Sequence, residues 1–225
     1  EISGLENATA YGDYAFAYMG LETFSVPASV QTVGDNAFAG CSALTAIEVA
    51  EGNATYASFD GCLYEEGLET LLLVPMNKTE ISFSPSVKEI ASYAFRSGRV
   101  TSVEIPDSVE TIGFAAFYGC SSLESMSLPF IGGSRTENTY MLHVFGGSYT
   151  VEGSNITFSN TDVFPSSLHS IEYRGDADIP DFAFTYCQGL QEMTYGASVT
   201  RIGSYAFAQT GLTSFSLGEG VTSIG

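Results

Sequence analysis

Ser108–Pro129 reads SVETIGFAAFYGCSSLESMSLP, and its internal spacing decides the fold. Leu123, Met126 and Leu128 make an L-x-x-I-x-I frame, whose last two apolar positions alternate as a strand requires. Ahead of that frame stand Val109, Ile112 and Gly113, then the pair Ala116-Phe117. Working outward, Ala-Phe recurs six times, at residues 15–16, 37–38, 94–95, 116–117, 183–184 and 206–207. Five or six residues after each Phe comes Leu21, Leu44, Val100, Leu123, Leu190 or Leu212, and the alternating pair follows. Two further frames lack a preceding Ala-Phe: Lys78, Ile81, Phe83, with Lys78 in the aliphatic place, and Leu168, Ile171, Tyr173.

The eight frames then begin at 21, 44, 78, 100, 123, 168, 190 and 212, at intervals of 23, 34, 22, 23, 45, 22 and 22. Five of these are one repeat, one is a repeat with an addition, and one equals two repeats. A period of about 20–29 residues with this frame is that of a leucine-rich-repeat solenoid. Between frames, Val30, Val87, Val109, Val199 and Val221 are each followed by Val or Ile and then by Gly or Ala. The small residue there answers either a positive φ or a close backbone approach. The expected architecture is a right-handed coil with one parallel sheet of eight rungs, short second strands, short helical turns and one continuous core. One coil cannot bury its own apolar face, so stability comes from stacking. The chain reads as a single domain over 1–225, cut within a repeat at both ends, with inserts at about 51–77 and 130–167.

These residues carry a family resemblance. Ser108–Pro129, together with SVQTVGDNAFAGCSALTAIEV and SVTRIGSYAFAQTGLTSFSL, resembles the repeat of the BspA-like, Treponema-type, leucine-rich-repeat family of bacterial surface proteins. NATYASFDGCLYEEGLETLLLVP resembles the hairpin insert of that family. PFIGGS, FGGSY and FPSSLHSIEY resemble its longer glycine-containing insert. The resemblance implies a secreted or surface-exposed product of a host-associated bacterium, engaged in adhesion. It implies no catalysis and no cofactor.

Composition narrows the function. A net charge of −19 with only 7 Lys and Arg excludes a phosphate-binding stripe and disfavours an anionic membrane surface. No apolar run is long enough to span a bilayer. Acidity of this kind keeps an extracellular chain soluble; its sharper reading is weak Ca²⁺ binding by scattered carboxylates. Asp176, Asp178 and Asp181 form D-x-D-x-x-D, but Ile179-Pro180 interrupts the frame an EF-hand loop needs, so a solvated turn is expected. Cys41, Cys120 and Cys187 share one repeat position, and coils without Cys separate them. Neighbours two rungs apart lie about 9–10 Å from each other, beyond disulfide reach. Four reduced, buried thiols are therefore expected, with Cys62 in an alternating strand. Neither His143 nor His169 stands at a metal-ligand or nucleophile–base spacing from a cysteine. Asn7, Asn53, Asn77 and Asn155 open N-x-T sequons, which in a bacterial chain are unmodified turn residues.

The expected function is a non-enzymatic, monomeric recognition module for an extracellular protein or glycan. The alternative is a spacer that projects another domain from the cell. Outward strand positions are small and polar, Thr23, Ser25, Ser102 and Ser125 among them, with Glu48, Glu104 and Glu192 as the charged members. Binding hot spots favour Tyr, Trp and Arg, and on this reading those are concentrated in the inserts. The first insert carries Tyr56, Phe59, Tyr64 and Met76, with Glu65-Glu66-Gly67 as a hairpin turn. The second carries Arg135, Tyr140, His143 and Tyr149. Those four residues and the three glutamates are the candidate partner contacts.

Overall fold

A computed structural model describes residues 2, 4–152 and 155–225. The chain coils as a solenoid of parallel strands. Thr23–Val26 pairs in parallel with Ala46–Val49, setting Phe24 opposite Ile47 and Val26 opposite Val49. Ser102–Glu104, Ser125–Leu128, Ser170–Tyr173 and Glu192–Tyr195 form a second parallel run with Val103, Met126, Ile171 and Met193 in register. The short second strands stack likewise: Ala10–Tyr11 on Thr32–Val33, Glu89–Ile90 on Thr111–Ile112, and Arg201–Ile202 on Ser223–Ile224. In-register parallel stacking places each apolar position over its equivalent, so Phe16 lies 5.3 Å from Phe38 and Phe95 4.5 Å from Phe117, both pairs face to face.

The single eight-rung sheet is not formed: six of the eight frames are strands. At 78–83 the backbone turns to side chains instead, the Ser82 amide donating to the Asp60 carboxylate and the Ser84 amide to the Tyr64 hydroxyl. At 212–217 the Tyr195 hydroxyl takes up the chain, accepting from the Gly218 amide and donating to the Ser216 carbonyl. The 45-residue interval also proves to be one coil, because Ser125–Leu128 pairs directly with Ser170–Tyr173. Its extra residues loop out.

The first insert is an antiparallel meander, Tyr56–Phe59, Cys62–Glu65 and Thr70–Leu73, whose last strand rejoins the solenoid by pairing in parallel with Glu89–Ile90. Asp60 and Gly61 link the first two strands with φ of 50° and 70°, the left-handed pair that suits a two-residue hairpin loop. The meander also divides the interior. Cys62 and Tyr64 enter a large core that runs on to Ala206, while Leu63 enters a smaller one reaching back to Tyr11. A strand whose alternate residues are buried on opposite faces separates two cores, in place of one continuous one.

The second insert contributes the helix Met141–Phe145, closed by Gly146 with φ 101°, and the antiparallel hairpin Ser148–Glu152 with Asn155–Ser159. The helix supplies the missing turn: the Phe117 amide donates to the Val144 carbonyl, and Phe145 packs 6.0 Å from Phe117. By contrast, the Ala-Phe turns are not helical. Each is flanked by two left-handed residues, such as Tyr14 and Tyr18 or Phe182 and Tyr186, which break a right-handed helix. Close approach explains the small residue after the second strands, since a Cβ at Gly113 would collide with the Ser92 amide one coil away.

All four cysteines are buried and free. The Cys41 and Cys120 thiols each donate, at 3.0 Å, to the carbonyl of a ladder phenylalanine in the preceding coil, Phe16 and Phe95. Burial pushes the Cys62, Cys120 and Cys187 thiols up to about 12. Thiolate is the reactive form, so a thiol reagent at mild alkaline pH should label the native chain slowly. After unfolding without reductant it should count four thiols; a count of two or none would contradict the stacking geometry.

Candidate functional site

The turn edge of the solenoid, away from the parallel sheet, gathers the exposed aromatic side chains. Tyr14, Tyr93, Phe182 and Tyr205 each stand immediately before an Ala-Phe pair, with φ between 57° and 62°. A left-handed residue at that point turns its side chain off the coil, and equivalent residues on successive coils come into line. Phe182 and Tyr205 stack at 5.5 Å with planes 8° apart. Tyr93 meets Phe114 at 6.4 Å.

The second insert joins these pairs into one ridge. His143 lies 5.4 Å from Phe114 and 6.0 Å from Tyr140; Tyr140 lies 4.7 Å from Tyr149; Tyr149 lies 4.8 Å from Phe182. Phe158, on the partner strand of the insert hairpin, fills the space between Tyr149 and Tyr186. Contacts thus run without a break from Tyr93 to Tyr205. Along the ridge exposure rises from half-buried Tyr140, His143 and Tyr149 to 63% at Tyr205, and near the other end of the chain Tyr18 is 82% exposed. Burial pushes the His143 imidazolium down, so a neutral ring sits among the aromatics at neutral pH.

Three of the seven residues singled out from the sequence, Tyr140, His143 and Tyr149, are therefore brought together. Arg135 lies elsewhere. Its guanidinium sits 5.6 Å over the Phe130 ring and donates to the Pro129 carbonyl, in a pocket of about 130 Å³ that Tyr173 and Asp176 also line. The glutamates occupy the sheet face and are partly engaged there. Glu48 accepts from the Ser58 hydroxyl at 3.2 Å, and Glu104 pairs at 2.7 Å with Arg174, whose guanidinium also reaches Asp107. Glu192 is exposed. Sequence reading passed over Tyr14, Tyr93, Phe182 and Tyr205. The available signal was an aromatic residue directly before Ala-Phe in four of six copies.

The D-x-D-x-x-D carboxylates are not simply solvated, because two of them join neighbouring coils. Asp178 accepts from the amides of Thr200 and Arg201, which hold its carboxyl below the usual range, and Asp181 accepts from the Ser204 amide and pairs with Arg201. Asp13, equally placed before its own Ala-Phe, accepts from the Asp35 amide in the same manner. Among the described residues no helix is long and apolar enough to cross a membrane.

A family model described as the BspA type leucine rich repeat region matches six copies, over residues 1–71, 75–162 and 160–225. Solved structures agree on the fold. A leucine-rich-repeat protein from Eubacterium ventriosum is 21% identical with a TM-score of 0.57, over 96% of this chain and 60% of that one. A leucine rich cell surface protein from Faecalibacterium prausnitzii is 24% identical with a TM-score of 0.52, over 96% of this chain and 50% of that one. The pneumococcal vaccine antigen PcpA is 22% identical with a TM-score of 0.54, over 97% of this chain and 54% of that one. The chain thus spans about half to three-fifths of the length of these proteins. No curated protein sequence matches it.

Proposed function

Since the chain belongs to the BspA-type leucine-rich-repeat family, we propose that it is a non-enzymatic recognition module of a secreted or cell-surface bacterial protein, and that it binds an extracellular protein or glycan through its aromatic edge. One observation carries this reading: the unbroken aromatic ridge from Tyr93 to Tyr205. Folding does not require a large apolar ring at this left-handed position, since half-buried Asn36 and buried Ala115 hold it in their own coils, while Tyr14, Tyr93 and Tyr205 stand exposed there. Aromatic surface is the currency of protein hot spots and of stacking on sugar rings. That the Faecalibacterium neighbour is a cell surface protein supports the location.

The test is a binding screen against host extracellular proteins and a glycan array, followed by substitution. Tyr93→Ala, Tyr205→Ala and Tyr149→Ala together should weaken binding to whatever is captured at least tenfold, about 1.4 kcal/mol. Arg135→Ala, in its separate pocket, should have little effect. A chain that captures nothing, or whose ridge variant binds as the parent does, would favour the spacer role.

A further inference from the structure

The turn edge is interrupted once, where the meander replaces a turn. Elsewhere main-chain hydrogen bonds join consecutive turns. The amides of Tyr14, Phe16 and Tyr18 donate to the carbonyls of Asp35, Ala37 and Ala39; those of Phe182, Phe184 and Tyr186 donate to Ser204, Ala206 and Ala208; and those of Phe95 and Ser97 donate to Ala116 and Tyr118. The equivalent donors of the second turn are the amides of Asn36, Phe38 and Gly40. None of the three has a hydrogen-bond partner among the described residues. Across the gap the matching acceptors are the carbonyls of Ser92, Ala94 and Arg96. The Val74 amide takes Ala94, and the other two accept nothing among the described residues.

Between these walls lies an open cleft of about 1070 Å³, floored by Leu63, Leu72, Leu73 and Val74. That is the size of a ligand site. One side-chain bond spans it, from Arg96 to the Asn36 carboxamide. The rim carries Asp35, Glu65 and Glu66, all exposed.

We propose that this cleft receives a short polypeptide segment of a partner, turned as the flanking segments are, an apolar residue flanked by basic ones, whose main chain completes the interrupted ladder between Asn36–Gly40 and Ser92–Arg96. The chemistry selects a peptide. Donors stand on one wall and acceptors on the other, and a backbone presents carbonyls and amides to both, as the neighbouring turns do along the rest of this edge. An anion would satisfy only the donors, and would face three carboxylates against the one Arg96 guanidinium, which is already bonded to Asn36. The apolar floor takes the central side chain, and the acidic rim takes the flanking cations. The cleft meets the aromatic ridge at Tyr93, which belongs to both, whereas Tyr149 and Tyr205 lie outside the cleft, so substitutions there tell the two sites apart.

The experiment is selection from a random linear peptide library on the whole chain, with synthetic copies of the selected peptides used for binding and amide hydrogen exchange. The selected peptides should share an apolar residue between Lys or Arg, and should slow exchange at Asn36, Phe38 and Gly40 by at least about tenfold. Glu65→Lys with Glu66→Lys should weaken binding on the order of tenfold, with the melting temperature unchanged. Three results overturn the proposal. No peptide is selected; or protection falls around Tyr149 and Tyr205 instead, outside the cleft; or the three amides of the free chain become protected as its concentration rises, which would make the occupant a second copy.

Discussion

Phe117→Ala should destabilise the chain by about 3–5 kcal/mol, the cost of emptying a large aromatic site in a packed core. Phe117 is fully buried, with Phe95 stacked on one side and Phe145 on the other. Each ring in the ladder supports both neighbours, so the cavity cannot collapse without drawing two coils together. The position also lies where the second insert is spliced into the solenoid, through the bond from the Phe117 amide to the Val144 carbonyl. Thr23→Ala, on the exposed sheet face, should change stability by no more than about 0.5 kcal/mol. Chemical denaturation of the two variants checks this. Equal midpoint shifts would show that Phe117 is not a ladder residue in solution.

Asn53→Ala should cost about 2–4 kcal/mol, several times what a surface turn residue contributes. Asn53 opens a sequon, yet it is buried and its carboxamide is fully engaged. Its nitrogen donates to the carbonyls of Pro27 and Val30, and its oxygen accepts from the amides of Thr55 and Tyr56, all at 2.8–2.9 Å. It thus pins the meander to the preceding coil. Truncation strips the Val30 carbonyl and the Thr55 and Tyr56 amides of these bonds and leaves the Pro27 carbonyl with the Val30 amide alone, and the alanine methyl group restores none of them. Asn53→Asp separates hydrogen bonding from shape. A carboxylate keeps the two acceptor bonds from Thr55 and Tyr56 but sets an oxygen against the Pro27 and Val30 carbonyls, so this variant should recover only part of the stability lost in Asn53→Ala. Denaturation midpoints of the two variants and the parent check this. A variant as stable as the parent would mean that the nitrogen's two bonds contribute nothing.

The ladder at Phe16, Phe38, Phe95, Phe117 and Phe184 was legible from spacing, because in a solenoid the position within a coil alone decides which side chain faces inward. The turn at Glu65-Glu66-Gly67 was legible for a similar local reason, as a conformation set by a few adjacent residues; Asp60-Gly61 carried the same kind of local signal and was passed over. Lys78 marked one of the two frames that did not become strands, but nothing near it announced that Asp60 and Tyr64 would take its amides. Those partners lie about 20 residues upstream. Asn53 read as a turn residue and was one, while its partners at Pro27 and Val30 lay a full coil away.

Period, ladder residues and meander turns were thus determined by the chain locally, since each follows from which residues recur at one place in a coil. Tertiary structure decided the rest. Insert lengths do not say where an insert lies, so only the folded chain sets Tyr140, His143 and Tyr149 between Phe114 and Phe182 and sends Arg135 to Phe130. It likewise decided that Cys62–Glu65 partitions the interior and leaves the second turn without the coil that would have taken its amides. In each case the outcome depends on which coils become neighbours across an insert, a relation between distant segments that no spacing within one repeat encodes.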